Sequence, residues 1–230
     1  TIGGLNREYI TQWSYGIGET WTLLVPNANG GSHGEQLSDY PSALEKAAPQ
    51  VRDICAQWYP YFGDQPFTAG PVYVGAFVFT LFILSLYVLR GPLKWALIGV
   101  MVLSILLSWG HNFMGMTDFF IDHIPMYSKF RTVASILVVV EFVVPFIALW
   151  GLKEWVEKPR LKPLYAATVF TVVICLIYAM FPTIGGDCVS TNDKSAVQQY
   201  VAAGYFDAAF GQNILRSISG MRAAMLSADA

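Results

Sequence analysis

Charge is what this sequence has least of. Asp, Glu, Lys and Arg make up 13% of the 230 residues, while hydrophobic residues reach 54% and the net charge is -2. The charged share is about half that of an ordinary soluble domain, and the balance excludes a disordered chain, which needs the reverse. Basic residues are never grouped, so the electrostatic footprint of a nucleic-acid binder is missing. Three cysteines and three histidines show no CxxC or Cys/His spacing, and no metal site is read from the pattern. Asn27-Ala28-Asn29-Gly30-Gly31 lacks the GK[ST] ending of a phosphate loop and reads as a turn. No Met, basic n-region or apolar h-region opens the chain at Thr1, so it carries no targeting segment and reads as an internal fragment of a longer bundle.

What the chain does have is long apolar runs: Val72 to Leu89, Leu93 to Trp109, Val133 to Trp150 and Leu164 to Phe181. Past Lys94, the one charge in any of them is Glu141. A transmembrane helix needs about 20 mostly apolar residues, and each run approaches that length with its aromatic flanks. The fold class expected is therefore all-α, a polytopic helical membrane protein, with four spans at about 72-89, 93-109, 133-150 and 164-181.

The links Arg90-Gly91-Pro92-Leu93-Lys94 and Lys153 to Lys162 are short and basic. The positive-inside rule makes them cytoplasmic and puts 1-71, the loop 110-132 and 183-230 on the opposite face. In a bacterial inner membrane that face is periplasmic. Residues 1-71 read as an ordered loop region with short helices. Asp39 and Pro41 mark a helix start, and Leu44, Ala48, Val51, Cys55 and Trp58 recur at helical spacing, which predicts an amphipathic helix around 41-59 ended by Pro60. In 183-230, Ala196 to Phe206 and Leu215 to Leu226 are helix-compatible, but Arg216 and Arg222 make them surface helices rather than spans. Cys55 and Cys188 share the outward side, where a disulfide and two separate thiols are both open readings.

Several polar residues stand out against this background. Glu141, four residues before Pro145, is expected to face inward, as a proton or cation site or as a hydrogen-bonded structural acid. The connection from Trp109 to Arg131 concentrates aromatic, acidic, amide and basic groups at headgroup depth, a place that suits a lipid headgroup. Lys129 and Arg131 offer a point charge and a planar fork to a phosphate, or serve as interfacial anchors. Asp118 and Asp122 are candidate bases or helix caps. His111 and His123 match no recurrent metal spacing. Glu19 reads as a helix-start acid or as a site residue facing the same outward cavity.

The ordered string Tyr15-Gly16, Glu19, Leu24-Val25-Pro26-Asn27, Gly30-Gly31, Gly63-Asp64-Gln65-Pro66, Trp109-Gly110-x-Asn112-Phe113, Thr117-Asp118-Phe119-Phe120 and Pro125-x-Tyr127-x-Lys129-Phe130-Arg131 resembles the bacterial YfhO family. The likeness is to its large multi-spanning members in Bacteroidetes and covers most of residues 5-160. That family looks related to the GT-C glycosyltransferases, integral membrane enzymes that take a sugar from a polyprenyl-phosphate carrier at the outer face. The resemblance implies a GT-C-like bundle fragment that transfers sugar to an extracytoplasmic glycan or lipid acceptor. It implies Asp118, Glu19 and Asp64 as catalytic acids and Lys129 with Arg131 as the polyprenyl-phosphate clamp. It implies Tyr127, Asn112, Trp109 and Tyr15 as the rest of the sugar or isoprenoid platform. The implied partners are membrane lipid, the lipid-linked sugar and further helices of the full-length chain, with no nucleic acid; the resemblance leaves the need for a divalent metal open. A transporter or lipid-handling protein built around Glu141, and a non-catalytic assembly subunit, are the alternative classes.

Overall fold

The computed structural model describes residues 5–129 and 132–230. Its helices are α1 (Arg7–Ile10), α2 (Pro41–Leu44), α3 (Arg52–Ala56), α4 (Ala76–Val88), α5 (Pro92–Ser108), α6 (Met114–His123), α7 (Val138–Glu157), α8 (Leu161–Met180), α9 (Thr191–Ala202) and α10 (Ala208–Asp229), and no strand occurs among the described residues. The chain divides into two compact units that interleave along the sequence. One takes Thr1–Leu24, Asp64–Pro66 and Val72–Ile174, and the other Val25–Gly63, Phe67–Pro71 and Cys175–Ala230.

In the first unit the apolar runs become helices of unequal length. Val133–Glu157 and Leu161–Met180 are long and apolar enough to cross a membrane; α5 joined to the segment Gly110–His123 makes a third only if a 109° bend is counted within one span. The first expected span is shorter than its sequence: α4 has 13 residues, about 20 Å at 1.5 Å per residue, against a hydrocarbon core of roughly 30 Å. Its missing turn lies in 72–75, where the Val74 N–H donates to Leu23 O at 3.3 Å and Gly75 takes φ +91°. Those residues bind the Gly18–Leu23 turn instead of extending the helix.

The third expected span errs in the other direction. A 3-10 turn over Val133–Leu137 leads into α7, which runs on through Lys153 and Glu154 and leaves only a brief link before α8. Helix α7 packs along α4 through Val140, Val143, Val144, Ile147 and Ala148 against Leu81, Leu84 and their neighbours. Gly151 makes that approach possible, because a Cβ there would lie 1.9 Å from Ser85 Oγ and 2.7 Å from Ser85 Cα. Small residues at a helix crossing are how membrane helices gain close dispersion contact. Glu141 falls beside this stripe and is exposed, so the inward-facing acid expected from the sequence is corrected. Lys94 is buried at the start of α5, where its Nζ donates to Leu86 O and Leu89 O at 3.0 Å and so satisfies carbonyls left open at the end of α4.

The second unit is a small helical body around Leu37, Ala43, Ala47, Val51 and Cys55 on one side and Val197, Ile214, Ile218, Met221 and Met225 on the other. The single helix expected over 41-59 is two short helices, α2 and α3, with turns between them. Pro49 supplies the reason: it has no N–H to give and its ring clashes with the carbonyl four residues back. The four-residue spacing of Ala43, Ala47, Val51 and Cys55 survives the break as a buried edge. Helix α10 is not a surface helix, since it buries Ile214, Ile218, Met221, Arg222, Met225 and Leu226, whereas α9 buries only Asp193 and Val197. Cys55, Cys175 and Cys188 are free thiols.

Candidate functional site

Three separated segments of the first unit meet around Glu19. Tyr15 is fixed by its N–H to Ser108 O at 2.8 Å, and the chain then turns through Gly16 into the 3-10 helix Gly18–Leu23. Glu19 sits in the first turn of that helix, yet its carboxylate does more than favour a helix start. Only 2% exposed, it accepts from the Gly16 N–H at 3.2 Å, the Asp64 N–H at 2.5 Å and Gln65 Nε2 at 3.5 Å. Backbone N–H bonds to a carboxylate are charge-assisted and stronger than neutral ones. Gly16 leaves room for them: a Cβ there would stand 3.0 Å from Glu19 Oε1 and 3.1 Å from Asp64 Oδ2.

Asp64 itself is exposed, and its Oδ2 accepts from Asn112 Nδ2 at 2.9 Å. The same amide nitrogen donates to Tyr15 O at 3.1 Å, so Asn112 ties the Asp64 carboxylate to the Tyr15 turn. The turn that delivers Asn112 depends on Gly110, which has φ +44° and where a Cβ would meet Ser14 Oγ at 2.0 Å. Ser14 Oγ in turn accepts the His111 N–H at 2.9 Å and donates to Thr11 O at 2.6 Å. Trp109 Nε1 donates to Thr20 Oγ1 at 3.1 Å. The Tyr15 hydroxyl shares a hydrogen bond with Thr22 Oγ1, which also lies 2.7 Å from Glu19 O. Burial, with the charges of Glu19 and Glu141 adding to it, pushes the Tyr15 hydroxyl well above its ordinary pKa, so it stays a neutral donor.

Other residues singled out in the sequence have different surroundings. Asp118 and Asp122 on α6 receive Arg7, through Nη1 and Nη2 respectively, in an exposed ion-pair group. Asp118 therefore already has a cationic partner and is not among the groups around Glu19. Lys129 is exposed, and Tyr127 packs its ring 5.6 Å from that of Phe120. Arg131 lies outside the described residues. His111 Nδ1 and His123 Nδ1 lie 3.3 Å from Thr11 O and 3.0 Å from Phe119 O. Among the described residues no group of three His, Cys, Asp or Glu side chains is placed to hold a metal ion.

Sequence reasoning missed the polar centre of the second unit. Arg222 is 1% exposed and donates to Asp193 Oδ2 at 2.6 Å, Cys188 O at 3.1 Å, Tyr59 O at 2.6 Å and Tyr61 O at 3.2 Å. Its guanidinium also stacks over Phe62 at 5.5 Å. Asp193 accepts Trp58 Nε1 at 2.6 Å and closes a capping box with Ser190 at the start of α9. Burial drives the Asp193 carboxyl upward, but the bond and charge of Arg222, helped by Trp58, outweigh it and hold it below the usual carboxylate range. His33, ringed by Tyr59, Tyr61 and Phe67, is held below the usual imidazole range by burial and then by Arg222. A signal was present, since Arg222 stands four and eight residues after Ile218 and Ile214, on the apolar stripe of α10. Compared with family profiles, curated proteins and solved structures, the chain matches none.

Proposed function

We propose that this chain is part of a multi-pass membrane glycosyltransferase of the GT-C kind and a member of the YfhO family. In this reading it transfers a sugar from a polyprenyl-phosphate carrier to an acceptor on the outward face of the bacterial inner membrane. The observation that carries the reading is the meeting of Tyr15, Gly16, Glu19, Asp64, Gln65 and Asn112 through direct hydrogen bonds. These are the residues through which the sequence resembles that family, and they come from three segments far apart in the chain.

The roles follow from accessibility. Asp64 is exposed and oriented by Asn112, so it is the carboxylate that meets the acceptor hydroxyl and takes its proton as the new glycosidic bond forms. Glu19 is buried, so it is a positioning residue: it fixes the Asp64–Gln65 backbone and reaches no substrate itself. Lys129, with Arg131 beyond Phe130, takes the leaving polyprenyl phosphate, whose developing charge a cation stabilises. A polyprenyl-phosphate sugar carrying a photoactivatable diazirine on the sugar tests this. Cross-linked peptides should fall within residues 15–20, 63–66 or 109–113, and labelling confined to other segments refutes the assignment.

A further inference from the structure

We propose that the basic end of the first unit holds the phosphate of an anionic phospholipid, in a cleft between the end of α4, the last turns of α7 and the link into α8. The cleft measures about 190 Å³ and is lined by Arg90, Lys158 and Arg160, with Glu154 as its one acid and Trp150 as its aromatic wall. Pockets that enclose a whole small molecule run to roughly 300–1,000 Å³, so this one fits a headgroup and leaves the rest of the ligand outside. What lies outside suits acyl chains: Leu149 and Val156 on α7 and Tyr87 on α4 are exposed apolar side chains.

The cleft carries an excess of positive charge. Among the described residues Arg90, Lys158 and Arg160 form no ion pair, and the ion pairs that exist join Arg7 to Asp118 and Asp122, and Arg222 to Asp193. Three cations against one lining carboxylate leave an excess of positive charge where three apolar helices end. The link that carries two of them is pinned in place, because Trp155 Nε1 donates to Arg160 O at 2.9 Å. Arginine supplies a planar fork that takes two phosphate oxygens at once, and lysine adds a point charge. Basic pockets between helices at the cytoplasmic boundary are suited to anionic headgroups for the same reason. The proposal rests on α7 and α8 crossing a bilayer, and it is independent of sugar transfer.

The test uses the purified protein in detergent micelles, titrated with phosphatidylglycerol or phosphatidylcholine and read by native mass spectrometry as retained lipid, with no sugar donor present. Phosphatidylglycerol should be retained about tenfold more strongly than phosphatidylcholine, and R90Q/R160Q should lose most of that preference. K194Q/R216Q, which removes two exposed cations of the second unit, should keep it. R160Q alone, expected to lower the preference partway, serves if the double variant fails to give a wild-type circular dichroism spectrum. Equal retention of the two lipids, or a preference unchanged in both Arg variants, overturns the proposal. Displacement of the lipid by millimolar inorganic phosphate would reassign the cleft to a free anion and overturns it as well.

Discussion

Replacing Arg222 with Met keeps an unbranched apolar stem and removes the guanidinium with all its donors, so it reports what the buried guanidinium contributes to the second unit. The change takes the cation from Asp193 and the guanidinium donors from the carbonyls of Tyr59, Tyr61 and Cys188. Breaking a buried ion pair from one side costs about 3–5 kcal/mol. Asp193 keeps its bonds from Trp58 Nε1 and the Ser190 N–H, which places the expected cost near the lower figure, about 3 kcal/mol. Cys55 reports it directly: it is fully buried in this unit, and burial pushes its thiol up to about 11, so it labels only when the unit opens. In a C175S/C188S background, R222M should raise the Cys55 labelling rate by roughly 10²-fold, since each 1.4 kcal/mol is tenfold. Adding D193N removes the stranded charge and should recover about tenfold of that. A change under fivefold in R222M, or no recovery in the double variant, would refute the argument that the ion pair organises this unit.

Three further outcomes follow from the same geometry. Asp193 has a folded pKa below its reference value of 3.8 and His33 one below its reference of 6.5. Both groups bind protons less readily folded than unfolded, so their stabilisation is present above those reference values and is lost as pH falls through the folded ones; the urea midpoint of the second unit should fall below about pH 6.5 and again below about pH 4. G151A should lower the thermal stability of the α4 and α7 pair by about 1–3 kcal/mol, and S85A should not rescue it, because the Ser85 Cα also lies within 2.7 Å of the added Cβ. E19A leaves the Gly16 and Asp64 N–H groups without their carboxylate and should cost about 1–3 kcal/mol in denaturant unfolding of the first unit.

The helices that cross the apolar runs were legible because a run of branched and aromatic residues has few other solutions in lipid; α7 and α8 fall on the expected segments with shifted ends. The four residues lost from the start of the first run were not legible, since they are captured by a tertiary bond from Val74 to Leu23. Glu141 was misjudged because a sequence shows that an acid is present but not which side of the buried stripe it falls on. The Glu19 cluster was visible only as scattered motif residues: nothing local in Glu19 announces that Asp64, 45 positions on, will donate to it. Arg222 was legible only as a residue too costly for a membrane span, because its partners lie at 59, 61, 188 and 193, and each alone looks like an ordinary loop or helix-cap position.

The central claim is that Asp64, oriented by Asn112 and backed by Glu19, serves sugar transfer from a polyprenyl-phosphate donor. The most direct test is turnover of a radiolabelled polyprenyl-phosphate sugar by the protein in proteoliposomes, comparing wild type with D64N. The account expects turnover in wild type and a fall of about 10²–10⁴-fold in D64N, with the circular dichroism spectrum unchanged. Wild-type turnover in D64N would contradict it, and so would the absence of any sugar transfer by the wild-type protein.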